Sequence, residues 1–325
     1  MMDSSKFRDF TGTERLRGFS IRELFSDVSR KHGVADVERP FAVGTPGTIP
    51  DICDVDTSWP RPWMFVRALA GSVVVYALFV FCWHLFENLN LLPGLIFTGS
   101  MAIPLSVVLF FFEVNARRNV SLFQVIRMVL VGGVVSLLFS LLLFESPLAV
   151  FGWMGPSVAG LVEEPGKLLV LLVVARSAEY RYRLNGLLFG ACVGAGFAVF
   201  ESMGYAFQIL LQADSIGEVT DNIFLRGVLS PFGHIAWTAI AGAALWRVKG
   251  EHPFRWSMVK EPRFWHLFIV SVVLHMIWNL NVELPFLGKY LCLGFVAWMV
   301  VLSLIQEGLG ELRLEKEHAS AEKDC

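Results

Sequence analysis

Charge is scarce in this sequence. Only 17% of its residues are charged, 55% are hydrophobic and the mean hydropathy is +0.58. Soluble domains carry about a quarter charged residues, so an ordinary soluble domain is excluded. The net charge of -2 offers no electrostatic footprint for nucleic acid, and no nucleic-acid partner is expected. Cysteine is equally sparse. Cys53, Cys82, Cys192, Cys292 and Cys325 form no CxxC pair and no metal-finger spacing, which excludes a disulfide framework and a zinc finger. Nothing follows Cys325, so it makes no CaaX box. HExxH, the usual zincin signature, is missing. No signal peptide is expected, because the first strongly apolar run starts only near Trp63.

What the chain has in abundance is apolar runs of membrane-crossing length. They lie near 65–86, 95–113, 125–144, 158–175, 186–210, 227–246, 265–282 and 286–306. Each approaches the roughly 20 residues an α-helix needs to cross the hydrocarbon core. The fold class is therefore all-α, a polytopic transmembrane helix bundle of about eight spans. The run at 147–157 is too short and reads as re-entrant or interfacial. Three parts follow: a polar segment over 1–62, a membrane domain over 63–307 and a charged tail over 308–325. In the first part, Thr13 to Arg30 reads as a basic amphipathic helix suited to an anionic membrane surface, with a short helix packed on the membrane domain or a mobile tail as the alternative. The Pro-rich stretch from Gly44 to Pro62 reads as a linker, with Trp59-Pro-Arg-Pro-Trp63 as an interfacial anchor.

Basic residues give the orientation. Alternate connections carry Arg117 and Arg118, then Arg176, Arg181 and Arg183, then Arg247, Lys249, Arg255, Lys260 and Arg263. The intervening connections, 87–94, 145–157 and 211–225, have no Lys or Arg. The positive-inside rule then places both termini in the cytoplasm of a multi-pass cell-membrane protein.

Against this apolar background, the ionisable residues inside spans stand out. Such groups cost about 2.5–3.5 kcal/mol each at a span centre on insertion scales, and by default mark function. Spans four to seven hold Glu163, Glu164, Lys167, Glu201, His234 and His275. With the topology above, all lie about one and a half to two turns below the outer face. Four helices so aligned point to one shared polar site. Glu163 and Lys167 are i,i+4 neighbours that can pair, leaving Glu164 to face the site. Pro165 is expected to kink this helix. His275 with Asn279, and His234 with Thr238, are also i,i+4 pairs, in which Asn or Thr can orient an imidazole or stabilise an oxyanion. Glycines at 186, 190, 194, 196 and 204 allow close packing around Glu201.

Carboxylates and imidazoles at one level fit hydrolysis, in which a Glu takes a proton from water and returns it to a leaving amine. Here Glu164 is the expected general base. The set Glu164, Glu201, His234 and His275 also has the chemistry of a zinc site, so metal-dependent and metal-free mechanisms both stay open. Proton-coupled transport and non-catalytic scaffolding are the competing readings. A transporter is disfavoured by the lack of an internal repeat and of paired broken helices.

These residues carry a resemblance. Glu163-Glu164-Pro-Gly-Lys167 matches the EExxK motif of the PrsW family, and Phe197-Ala-Val-Phe-Glu201 its FxxxE motif. Ser230-Pro-Phe-Gly-His234 and His275-Met-Ile-Trp-Asn279 resemble its two later histidine motifs. The similarity covers roughly 65–306. It implies an intramembrane endopeptidase related to the CAAX prenyl proteases and the bacteriocin-immunity group. Its implied substrate is a membrane protein such as an anti-sigma factor, cleaved near the outer face in a bacterial stress response. Glu163, Glu164, Glu201 and His234 are the implied principal residues, with His275 beside them.

Overall fold

The computed structural model describes residues 16, 18–45, 47–145, 153–212, 216–282 and 284–323. Among them, helices stand at all eight expected positions and no strand is found. They are α3 (Met64–Phe86), α4 (Leu92–Val114), α5 (Leu122–Phe144), α6 (Val158–Val174), α7 (Arg183–Gln212), α9 (His234–Lys249), α10 (Pro262–Trp278) and α11 (Gly288–Lys323). Helix α8 (Ile216–Leu229) precedes α9, and two short helices, α1 (Ile21–Leu24) and α2 (Val34–Phe41), precede α3. Six segments are long and apolar enough to cross a membrane, with α8 and α9 counted as one. The helices α6 and α10 have 17 residues each, about 26 Å at 1.5 Å per residue.

Helices α7 and α9 form the centre of the bundle, and small residues allow it. A Cβ at Gly190 would stand 2.2 Å from the Thr238 carbonyl oxygen, and one at Gly194 would stand 2.3 Å from that of His234. Backbone therefore meets backbone where these two helices cross, the approach that small residues permit inside membranes. By contrast, α3 packs mainly on α4, and none of its apolar window is buried.

Three local expectations come out differently. The N-terminal amphipathic helix shrinks to the single turn of α1, with residues 13–15 and 17 outside the described residues. After Leu24 the chain makes successive i→i+3 turns, Val28 to Phe25 and Arg30 to Asp27, with the Arg30–Asp27 ion pair holding the last. Pro165 lies inside α6 without interrupting it. The break falls between α8 and α9 instead, at the 3₁₀ turn Ser230–Phe232 and Gly233, where Pro231 removes a donor. The short run expected at 147–157 lies partly outside the described residues, and 153–157 form a 3₁₀ turn.

The Trp59–Trp63 segment anchors to protein. Trp59 Nε1 donates to Gln306 Oε1 at 2.9 Å, and Trp63 stacks on His32 at 3.6 Å. At the end of α4, Glu113 accepts the backbone N–H groups of Trp63, Met64 and Phe65 at 2.8, 3.0 and 3.1 Å. These are donors that a helix start leaves unpaired. Glu113→Ala is expected to lower stability by about 1–2 kcal/mol, read from thermal unfolding of the detergent-solubilised protein.

Candidate active site

Four helices bring the sequence-derived residues together. Glu163, Glu164 and Lys167 come from the middle of α6, Glu201 from α7, His234 from the first position of α9 and His275 from the last turn of α10. His234 is set by the broken helix rather than by a continuous span. Trp298 Nε1 of α11 donates to the Pro231 carbonyl at 3.0 Å, and the Phe232 ring fills the space over Gly294. The Trp237 ring stacks on the His275 ring at 4.4 Å.

Lys167 is fully buried at the centre. Its ammonium donates to Glu164 Oε1 at 2.8 Å, His234 Nδ1 at 2.9 Å and Glu163 Oε2 at 3.3 Å, which uses its three N–H groups. The Phe197 face lies 4.0 Å away, a further favourable site for a cation. A buried charge survives only when so paired.

The two glutamates divide differently from the sequence expectation. Glu164 is completely buried, accepting from Lys167 and from His275 Nδ1 at 2.9 Å, and it does not line the cavity. Glu163 does line it, although it too approaches Lys167. The cause is the helical turn of about 100° between adjacent residues. It turns Glu164 toward α10 and leaves Glu163 on the open side.

The histidine tautomers follow from their partners. His275 Nδ1–H donates to Glu164, leaving Nε2 bare, 3.8 Å from Glu163 Oε2. His234 Nδ1 accepts from Lys167, so Nε2–H donates to Glu201 Oε2 at 3.1 Å, and Nδ1 lies 3.9 Å from the same Glu163 oxygen. Each imidazole is thus fixed by a carboxylate on one side and turns an unprotonated nitrogen to Glu163 on the other, the His234 nitrogen also accepting from Lys167. That is how histidines are held in metal centres.

A cavity of about 620 Å³ opens onto this cluster, lined by Glu163, Glu201, His234, His275 and Asn279, with Leu137, Leu141 and Phe144 of α5 facing Leu225 and Leu229 of α8. Asn279 reaches the cavity wall; its backbone N–H donates to the His275 carbonyl at 3.2 Å. The Thr238 side chain makes no hydrogen bond to the His234 ring, and its buried Oγ1 has no partner. Residues 104–305, more than half of the chain, match the PrsW family of intramembrane metalloproteases. The chain belongs to that family. It is therefore a multi-pass membrane protein and an intramembrane peptidase. Comparison with curated proteins and with solved structures finds no match.

The PrsW name includes a metal, and the donors can be tested against it. One ligand atom each from Glu163, His234 and His275 lies within 4.8 Å of the others. Two imidazoles and one carboxylate make a usual catalytic zinc set, and both rings are already braced. The residues fit, with Glu163 in the place the sequence reading gave to Glu164. Glu201 lies outside this set, on the Nε2 side of His234, and Arg226 Nη2 ion-pairs with the same Glu201 Oε2 that accepts from His234. Sequence reading passed over Arg226 because the connection judged free of Lys and Arg ended at 225. Its one signal is a lone Arg among Phe224, Leu225, Val228 and Leu229.

Proposed function

We propose that this PrsW protein cleaves a peptide bond of a membrane-protein substrate close to the outer face, with Glu163, His234 and His275 as its reacting centre. The observation that carries this reading is the convergence of both unprotonated imidazole nitrogens on one Glu163 oxygen, at 3.8 and 3.9 Å. The basic connections at the opposite end of the bundle favour cytoplasmic termini, which leaves the cavity in the outer half. Its flanks carry outward-facing leucines of α5 and α8, suited to a substrate arriving from lipid. An anti-sigma factor is the substrate class favoured by the family resemblance.

A metal held by Glu163, His234 and His275 would supply a Lewis acid for the scissile carbonyl and lower the pKa of water. The chain supplies the remaining functions. Glu164 and Glu201 fix the two rings. Glu201 also lines the cavity; with Oε2 held by His234 and Arg226, its other oxygen takes the proton of the attacking water and returns it to the leaving amine. Asn279 offers an amide on the same wall for the developing oxyanion. One observation favours a second, metal-free reading: Lys167 already engages His234 Nδ1 at 2.9 Å. There Glu163 is the base, and active protein purified free of zinc would establish it.

The test compares new protein N-termini in host-cell membranes containing the native protein or Glu163→Gln. Fragments produced only by the native protein, cut near outer-face boundaries, are expected. Identical sets from two equally abundant, folded proteins would refute the proposal.

A further inference from the structure

We infer that Arg226 is a positioning residue of the metal centre, acting on His234 through Glu201; the inference rests on the metal reading above. Arg226 is on α8, a helix that carries none of the three donors. Its guanidinium is nevertheless held by one turn of α7 at three points. Nη2 pairs with Glu201 Oε2, Nε donates to Ser202 Oγ at 2.9 Å, and the group lies 4.4 Å over the Tyr205 ring. Glu201 Oε2 is the same oxygen that accepts His234 Nε2–H. Guanidinium, carboxylate and imidazole therefore form one line ending at the His234 Nδ1 that accepts from Lys167 and faces Glu163.

The line has a physical purpose. Glu201 has a flexible side chain, and one hydrogen bond to an imidazole leaves it free to rotate. A second, charge-assisted bond from a guanidinium that is itself fixed by Ser202 and Tyr205 removes that freedom. The imidazole plane is then set by groups at fixed places on α7. Residues that brace a ligating histidine in this manner typically change metal affinity about 10–100-fold when removed. Arg226 stands one step further out, so its removal should fall near the lower end.

A purely structural role, docking α8 on α7, makes a different prediction, and a double-mutant cycle separates the two. Zinc affinity is measured on the full-length protein in detergent by competition with a chromophoric chelator, for native protein, Arg226→Met, Glu201→Gln and the double variant. Arg226→Met is expected to weaken zinc about 10-fold. Adding it to Glu201→Gln is expected to weaken zinc no further, because Arg226 then has no carboxylate to brace. Native affinity in Arg226→Met, or a loss that adds in full to that of Glu201→Gln, overturns the inference while the metal reading stands. Absence of zinc binding by the native protein overturns both. Should Arg226→Met fail to fold, Arg226→Lys carries the same comparison. It keeps the charge but cannot span Ser202 and Glu201 together, so an intermediate loss supports the inference and native affinity refutes it.

Discussion

Glu163→Gln is expected to lower cleavage by about 10²–10⁴-fold while leaving the protein folded, whereas Glu164→Gln is expected to lose stability as well as activity. The distinction comes from what each carboxylate does. Glu163 lines the cavity and stands before both unprotonated imidazole nitrogens. A Gln there keeps the shape but removes the charge that binds a metal or accepts a proton. Glu164 is sealed in, with Lys167 at 2.8 Å and His275 Nδ1 at 2.9 Å on one oxygen. Neutralising it strips a buried ammonium of its shortest partner, a loss on the order of 3 kcal/mol. Cleavage assays and thermal unfolding on the same two variants check this. Equal stability with activity lost only in Glu164→Gln would return the central role to Glu164.

Gly194→Val is expected to lower activity about 10²-fold without touching an ionisable group. A Cβ at Gly194 would lie 2.3 Å from the His234 carbonyl oxygen and 2.9 Å from its carbonyl carbon. That is backbone, which cannot rotate aside, so α9 must move off α7 and carry His234 with it. Overpacking of this kind costs about 1–3 kcal/mol, and a displacement near 1 Å at a reacting group can lower rates about 10²-fold. Gly204→Ala is the matched control, since nothing lies within 4 Å of its added Cβ. Cleavage and unfolding temperature should both fall for the first variant and stay unchanged for the second.

The bundle was legible because membrane spans are written in length and hydropathy, and every one of the eight expected positions holds a helix. The site was legible because ionisable groups in apolar runs are too costly to be incidental. Less legible was the division of labour between Glu163 and Glu164. Adjacent residues differ only by a helical rotation, and the side facing α10 depends on packing that spacing does not encode. Helix α8 was hidden for another reason. Asp214, Glu218 and Asp221 gave its stretch the composition of an exposed connection, and only burial of Val219 and Ile223 against α4 and α7 makes it part of the bundle. Arg226 was hidden with it. The continuous span read through His234 was broken by Pro231 and Gly233, whose effect is local and whose seat on α11 is not.

The segment before α3 is tied to the far end of the sequence. Lys316 Nζ donates to the Val55 carbonyl at 2.9 Å, Arg313 to that of Thr57 at 3.3 Å, and Trp59 to Gln306. During synthesis, residues 55–59 are made before α3 to α10, and their partners on α11 after them. The segment before α3 therefore cannot take its final place until α11 has been made and inserted.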